Sequence, residues 1–427
     1  MKNNQFEHGT VNHIRIHVLP TDQFKTYAIS LYIGKPLTEE TVTPIALVPF
    51  ILRRGTQRWP ETQQFREHLD DLYGAGFGFD IYKRGNNQIV QFRMDVIQDQ
   101  FVSDSTSLLK ESLEFMGDVM VHPALEEGHF VQKYVDAEKN TVQKKLEAII
   151  NDKIKYAAER CIQEMFKNEP FRLNALGKLA EIPQMTASSL YSQYVQWIHS
   201  APIDLYVVGN TTLAEVEFLV QDSFRFDRNK HGESYHVQTN KESVSDVKTV
   251  VEKMDVNQGK LNMGLRTNIT YADPHYPAAL MYNGILGAYP HSKLFANVRE
   301  KESLAYYASS RLDGHKGILT IQSGIEIKNY TKAVDIIREQ LEAIKNGTIS
   351  DLELSQTQAM IVNQLEEIQD SAFEMISFDF NRILSGHDPS LPGLIKAIEH
   401  VDRSSIQQVA AQAELDTIYF LRDQKGD

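Results

Sequence analysis

The sequence predicts an α+β protein built from two similar domains, and three observations predict it. Runs with the two-residue period of half-buried strands are interspersed with runs of helical period, which is the mixed class. These runs recur in the same order in both halves of the 427-residue chain. Equivalent elements lie roughly 210–230 residues apart, as in a duplicated domain. Between the halves, residues 228–245 (RNKHGESYHVQTNKESVS) are polar and have no apolar period, which reads as a linker. The domains are therefore expected at 1–227 and 246–427.

In the first half, Ile14, Ile16 and Val18 alternate with Arg15 and His17, a strand pattern. TYAISLYI (26–33) is a second strand. Helical patterns follow near 43–54 and 61–73, and Pro60 suits the start of the latter. GFGFDIYK (76–83) and NQIVQFRMDV (87–96) read as strands. Helical stretches then occupy roughly 105–120, 126–167 and 187–199. The strand DLYVVGN (204–210) closes on Gly209, and a helix follows.

The second half repeats this order. Strands near 247–254 and 258–267 precede helices near 275–288 and 292–301. Strands 304–313 and 317–325 follow. Helices come near 330–346, 351–384 and 404–413, and TIYFLRD (417–423) is the last strand.

Composition limits the function. Hydrophobic residues make up 42% and charged residues 24%, enough apolar material for large cores. A net charge of -13, with no basic cluster, argues against nucleic-acid binding, which needs a cationic face. The opening MKNNQFEHGTVNHIRIHVLP has no apolar signal region, and Cys161 is the single cysteine. A cytoplasmic protein without disulfides or membrane contact is expected. Cys161, in YAAERCIQEMF, reads as a small buried hydrophobe on a helix.

Chemistry is scarce in the local patterns. None of the 14 histidines falls in a zinc-protease motif. His13 and His17 share the outward face of a strand with Arg15 between them, and a cation there opposes a metal, so they read as solvated. The acid pairs Glu39-Glu40, Asp70-Asp71, Glu126-Glu127 and Glu366-Glu367 read as solvated faces or first-turn charges. Gly74-Ala75-Gly76-Phe77-Gly78 has the wrong spacing for a dinucleotide loop.

One stretch is distinctive: GILGAYPHSKLFANVREKESLAYYASSRLD (284–313). It resembles the M16 peptidase family, of the pitrilysin and mitochondrial-processing-peptidase type, in which R-E-K-x-x-L-A-Y follows a turn containing glycine and serine. The duplicated order of elements, GNTTLAEV (209–216) after a strand and VDRSSIQQVAAQ (401–412) before the last strand fit as well. The resemblance covers essentially the whole chain. It implies two homologous domains, each a mainly antiparallel sheet with helices packed on one face.

In active members the first helix carries His-x-x-Glu-His shortly before a Gly-Thr. The histidines bind zinc and the glutamate activates water. Laid on Gly55-Thr56, that pattern puts Ala46, Pro49 and Phe50 at the three positions. The third zinc ligand is a glutamate on a later helix; here that position holds Lys145, while the glutamate seven residues earlier is kept as Glu138. A lysine cation cannot ligate zinc at neutral pH. Phe50 is expected in a packed interior and Glu138 as a structural acid.

The resemblance therefore implies a chain that holds no metal and is not an enzyme by itself. Its expected role is the non-catalytic subunit of a heterodimeric zinc peptidase, with zinc in a partner subunit of the His-x-x-Glu-His type. Arg299 and Tyr306 match the family's substrate-side pair and would contact the peptide substrate in trans. Two other readings stay open: a scaffold or peptide-binding protein that assists assembly without contributing to proteolysis, and a self-sufficient enzyme with an unrecognised site.

Overall fold

A computed structural model describes residues 5–103, 107–229, 233–237, 243–302, 304–387 and 390–424. The expected linker lies partly outside these. The chain forms two compact units.

The first unit comprises Met1–Glu147, Leu173–His236 and Ser371–Asp379. Its strands are β1 (Glu7–Val11), β2 (Ile14–Pro20), β3 (Thr26–Pro36), β4 (Gly76–Arg84), β5 (Asn87–Ile97), the short hairpin β6 (Leu125–Glu126) and β7 (His129–Phe130), and β8 (Ile203–Gly209). Six of them make one sheet in the order β1-β2-β8-β3-β5-β4. Only β2 and β8 run parallel; every other neighbour is antiparallel. The helices are α1 (Val42–Leu52), α2 (Thr62–Asp71), α3 (Leu108–Val121), most of α4 (Gln132–Asn151), α6 (Ala187–Ser200) and α7 (Leu213–Ser223).

The second unit comprises Ala148–Arg172, Val237–Asp370 and Phe380–Asp427. It holds α5 (Lys153–Met165) and the strands β9 (Lys248–Lys253), β10 (Gly259–Arg266), β11 (Ala305–Asp313), β12 (Ile318–Ile325) and β13 (Glu414–Arg422). Its sheet order is β11-β12-β10-β13-β9. Again one pair, β9 and β13, is parallel and the rest are antiparallel. Strand for strand this is the first sheet without β1: β9, β10, β11, β12 and β13 stand where β2, β3, β4, β5 and β8 stand. The duplicated α+β fold read from the sequence is the fold observed. The second unit's helices are α8 (Tyr276–Asn283), α9 (Tyr330–Lys345), α10 (Asp351–Glu367), α12 (Leu391–Glu399) and α13 (Arg403–Gln412); α11 spans Ala372–Ser385.

The main core of the second unit lies between its sheet and α8, α9 and α13, with Leu261, Met263, Leu265, Ile321 and Phe420 facing Ala279, Ile337 and Val409. Strand alternation sends Tyr419 and Leu421 to the opposite face, where Ala157 and Cys161 of α5 cover them. α5 approaches so closely that a Cβ on Gly264 would lie 2.5 Å from the Met165 sulfur. Cys161 is buried, as expected, and burial pushes its thiol up to about 12, away from reactivity.

Several boundaries differ from the sequence expectation. The stretch 126–167 is a hairpin and two helices, broken at Asp152, whose carboxylate caps α5 by accepting from Ile154 N and Lys155 N. Apolar periodicity continues through such a break because the cap changes direction without changing composition. The break matters: it falls beside the point where the chain passes into the second unit. The stretch 351–384 is likewise interrupted, by a 3-10 turn at Ile368–Asp370. α12 was not anticipated, although Ser390 caps it and Pro392 lies in its first turn, both start signals. Within the polar segment 228–245, Tyr235 is a buried anchor whose hydroxyl donates to Asp204 at 2.6 Å. A single aromatic in a polar run has no period to reveal it. No helix of the described residues is long and apolar enough to cross a membrane.

Candidate functional site

Helix α1 reads VTPIALVPFIL, and all eleven residues are buried. Pro49 has no N–H to give to Ile45, a defect worth about 3 kcal/mol in an ordinary helix interior. Burial on every side offsets it. Ala46 and Phe50, one turn apart, share a face. The Phe50 ring meets Phe79 edge to face at 4.8 Å, and the Arg53 guanidinium lies over both rings. After the helix, Gly55 is pressed against the Pro60 carbonyl, where a Cβ would come within 2.6 Å. Thr56 is buried, and its hydroxyl accepts from Trp59 N at 3.1 Å.

Across from α1 runs α4, on which Glu138 and Lys145 are two turns apart and so on one side. The Lys145 ammonium lies 5.9 Å from the Phe50 ring centroid. Glu138 is fully buried; its Oε1 accepts from Arg54 through Nε and Nη2, while Oε2 is buried with no hydrogen-bond partner. Phe50 and Lys145 thus bring a phenyl and an ammonium together, and Ala46 and Pro49 on the same helix as Phe50 add a methyl and a ring. None of these can ligate zinc, and the neighbouring carboxylate is taken by an arginine. The residues do not fit the metal that active relatives of this fold hold, and no hydrolytic step can be written for them.

The second unit carries Arg299 and Tyr306. The helix α8 continues into a π-helical turn at Gly284–Ala288, and a second one, Phe295–Lys301, carries Arg299 near its end. Arg299 is exposed, its guanidinium 4.6 Å above the Phe295 ring. Tyr306 lies at the start of β11, the sheet's edge strand. There the pairing skips from Ala305–Ile325 to Tyr307–Gly324, so Tyr306 is the extra residue of a β-bulge. A bulge turns its side chain out of the normal alternation, and Tyr306 is 59% exposed. The Tyr307 ring instead packs on Gly324.

A third cluster was not foreseen. His17, expected in solvent, is buried in the first unit. Its Nε2 is 2.9 Å from Asp204 Oδ1 and its ring stacks on Tyr206 at 4.3 Å. Asp204 also accepts from Arg15 Nε and Nη2, both at 2.6 Å. Burial alone would raise the Asp204 pKa, but the bonds from His17 and Arg15 hold it below the usual carboxylate range. Tyr206 donates to Asp379 Oδ2 at 2.8 Å. These partners come from β8 and from Ser371–Asp379, far off in sequence, so strand periodicity around His17 could not show them. His13 sits in the β1–β2 turn at positive φ.

Comparison with known proteins agrees with this geometry. A family description, "Peptidase M16 inactive domain", matches residues 184–361. The chain is 39% identical, over 96% of both chains, to "Probable inactive metalloprotease YmfF" of Bacillus subtilis. A crystal structure of a conserved protein from Enterococcus faecalis superimposes with a TM-score of 0.91 at 31% identity, covering 99% of this chain and 100% of that one. A peptidase M16 inactive domain from Pseudomonas fluorescens shares the fold, with a TM-score of 0.80 at 15% identity over 99% of each chain. The protein belongs to the M16 peptidase family, as one of its inactive, YmfF-like members.

Proposed function

We propose that this chain is the non-catalytic subunit of a heterodimeric M16 zinc peptidase, binding and polarising a peptide for a zinc-bearing partner subunit. The observation that carries the reading is Tyr306 on its bulge: a 59% exposed phenol held out from an edge strand, seven residues after an exposed arginine. The bulge disrupts the ladder locally and re-aims the phenol into solvent, as bulges beside active sites do. Both features are accounted for if the side chain meets a substrate.

The chemistry suits the residue types. Attack of hydroxide on a peptide carbonyl builds negative charge on oxygen. An arginine guanidinium offers a planar fork of donors, and a tyrosine hydroxyl can donate as well. A preplaced donor to a developing oxyanion in a dry site is typically worth about 3 kcal/mol. β11 is also the edge strand of its sheet, where an extended peptide could find backbone partners.

The test is peptide cleavage by the complex reconstituted with a zinc-bearing M16 subunit, assembly being followed separately by sedimentation. Tyr306→Phe is expected to lower kcat about tenfold or more without loss of assembly. Arg299→Lys is expected not to restore Arg299→Ala, because an ammonium does not reproduce the planar fork. Full turnover by an assembled Arg299→Ala, Tyr306→Phe variant would remove the role in trans. The scaffold reading would then stand, and the present seat of Arg299 over Phe295 favours it to that extent.

A further inference from the structure

The cluster around His17 contains an arrangement that neither the fold nor the proposed peptidase role uses. β1 and β2 are joined by Asn12 and His13, at φ 50° and 61°. Two central residues at positive φ make the type I′ hairpin, which sets the register without slack. Counting back from Val11–Ile14 places His8 directly opposite His17. Their Nδ1 atoms are 2.8 Å apart, with the rings edge to face. The Asp379 carboxylate joins them: one ligand atom from each of His8, His17 and Asp379 lies within 4.8 Å of the other two.

The surroundings orient these groups as metal ligands are oriented. An ionised Asp204 can only accept, so its bond to His17 Nε2 puts the proton there and turns the Nδ1 lone pair toward His8. Asp204 also matches the Arg15 charge, which removes the cation that would oppose a metal. Tyr206 stacks on the His17 ring and donates to Asp379 Oδ2, fixing the third group. His17 and Asp379 are 2% and 8% exposed, whereas His8 is on the solvent side, which leaves an entry path.

We propose that His8, His17 and Asp379 form a binding site for a divalent transition cation of the zinc class, separate from the position where active relatives hold zinc. Two imidazoles and one carboxylate are the donor set that zinc, nickel and cobalt favour over magnesium or calcium. Zinc bonds of about 2 Å require the histidine nitrogens to separate by roughly half an ångström and the carboxylate to close by about 1 Å. Side-chain rotation supplies both. The ion would clasp the edge strand β1 to the segment Ser371–Asp379, which come from opposite ends of the chain.

The experiment is equilibrium dialysis of tag-free, chelator-treated full-length protein against zinc sulfate, with cobalt as a spectroscopic probe. The expected result is one zinc per chain, visible d–d absorption with cobalt, and a raised unfolding temperature with zinc. His8→Ala, at an exposed edge position that should not disturb folding, is expected to weaken zinc binding at least tenfold and to abolish the cobalt spectrum. Asp379→Asn, which keeps the acceptor for Tyr206, should weaken it as well. Lys145→Ala should change nothing. No uptake by the unaltered chain, uptake unchanged in His8→Ala, or uptake lost in Lys145→Ala would each overturn the proposal.

Discussion

Removing the Arg54 side chain strips a buried charge of its partner. Glu138 is fully buried, and Arg54 supplies both hydrogen bonds to its Oε1, with Oε2 already lacking a partner. Arg54→Ala leaves that carboxylate without its bonded cation, and breaking a buried pair from one side typically costs about 3–5 kcal/mol. The reverse change is milder. The Arg54 side chain is 29% exposed, so in Glu138→Leu the guanidinium can turn to water, at a cost of about 1–2 kcal/mol. Arg54→Met combined with Glu138→Leu replaces the pair with hydrocarbon and should come within about 1 kcal/mol of the unaltered protein. With Arg54→Met, which removes the same bonds and should cost as much as Arg54→Ala, as the single variant, the double-mutant cycle should therefore show a coupling of about 3–7 kcal/mol. The assay is urea unfolding, with melting temperature as a second readout, where Arg54→Ala should fall by roughly 6–20 °C. The reasoning fails if Arg54→Ala costs less than 1 kcal/mol, or if Glu138→Leu is the more damaging change.

Four further outcomes are expected. Phe50→Ala should destabilise by about 3–5 kcal/mol in the same assay, since it opens a cavity beside Phe79. Phe50→His should yield no hydrolysis, because Ala46, Pro49 and Lys145 supply neither a base nor further zinc ligands. Glu252 accepts from Tyr156, Tyr419 and Arg160 at 2.5, 2.7 and 3.1 Å. Burial works against its charge, but these bonds win and hold its pKa below the ordinary glutamate value. Its contribution is thus present at neutral pH and lost on acidification through the folded-state pKa. Glu252→Gln should cost about 1–2 kcal/mol at pH 7, and in unfolding curves its deficit should shrink and vanish as the pH falls through the lowered folded-state pKa. Tyr306→Phe and Arg299→Ala, both at exposed positions, should leave the melting temperature unchanged to within about 0.5 kcal/mol of stability, so that any effect on a partner's turnover is not a folding effect.

The duplication, the α+β class and the loss of His-x-x-Glu-His could all be read from residues in order along the chain. Each rests on a local quantity. A strand's alternation or a helix's period is complete within about ten residues, and a missing ligand is missing wherever the chain goes. The places where the reading fell short share the opposite property. Asp152 ends a helix by a single side-chain bond, inside an unbroken apolar period. Tyr306 is exposed because the ladder to β12 slips by one residue, which depends on both strands. His17 has the pattern of a half-solvated strand, yet β1, β8 and the segment ending at Asp379 enclose it. Its partner His8 is fixed by a two-residue turn, but Asp204 and Asp379 reach it only when the sheet and the chain's far end come together. Periodicity records which face of an element is apolar; what covers the polar face is decided by non-local packing, and there the tertiary structure alone placed the charges.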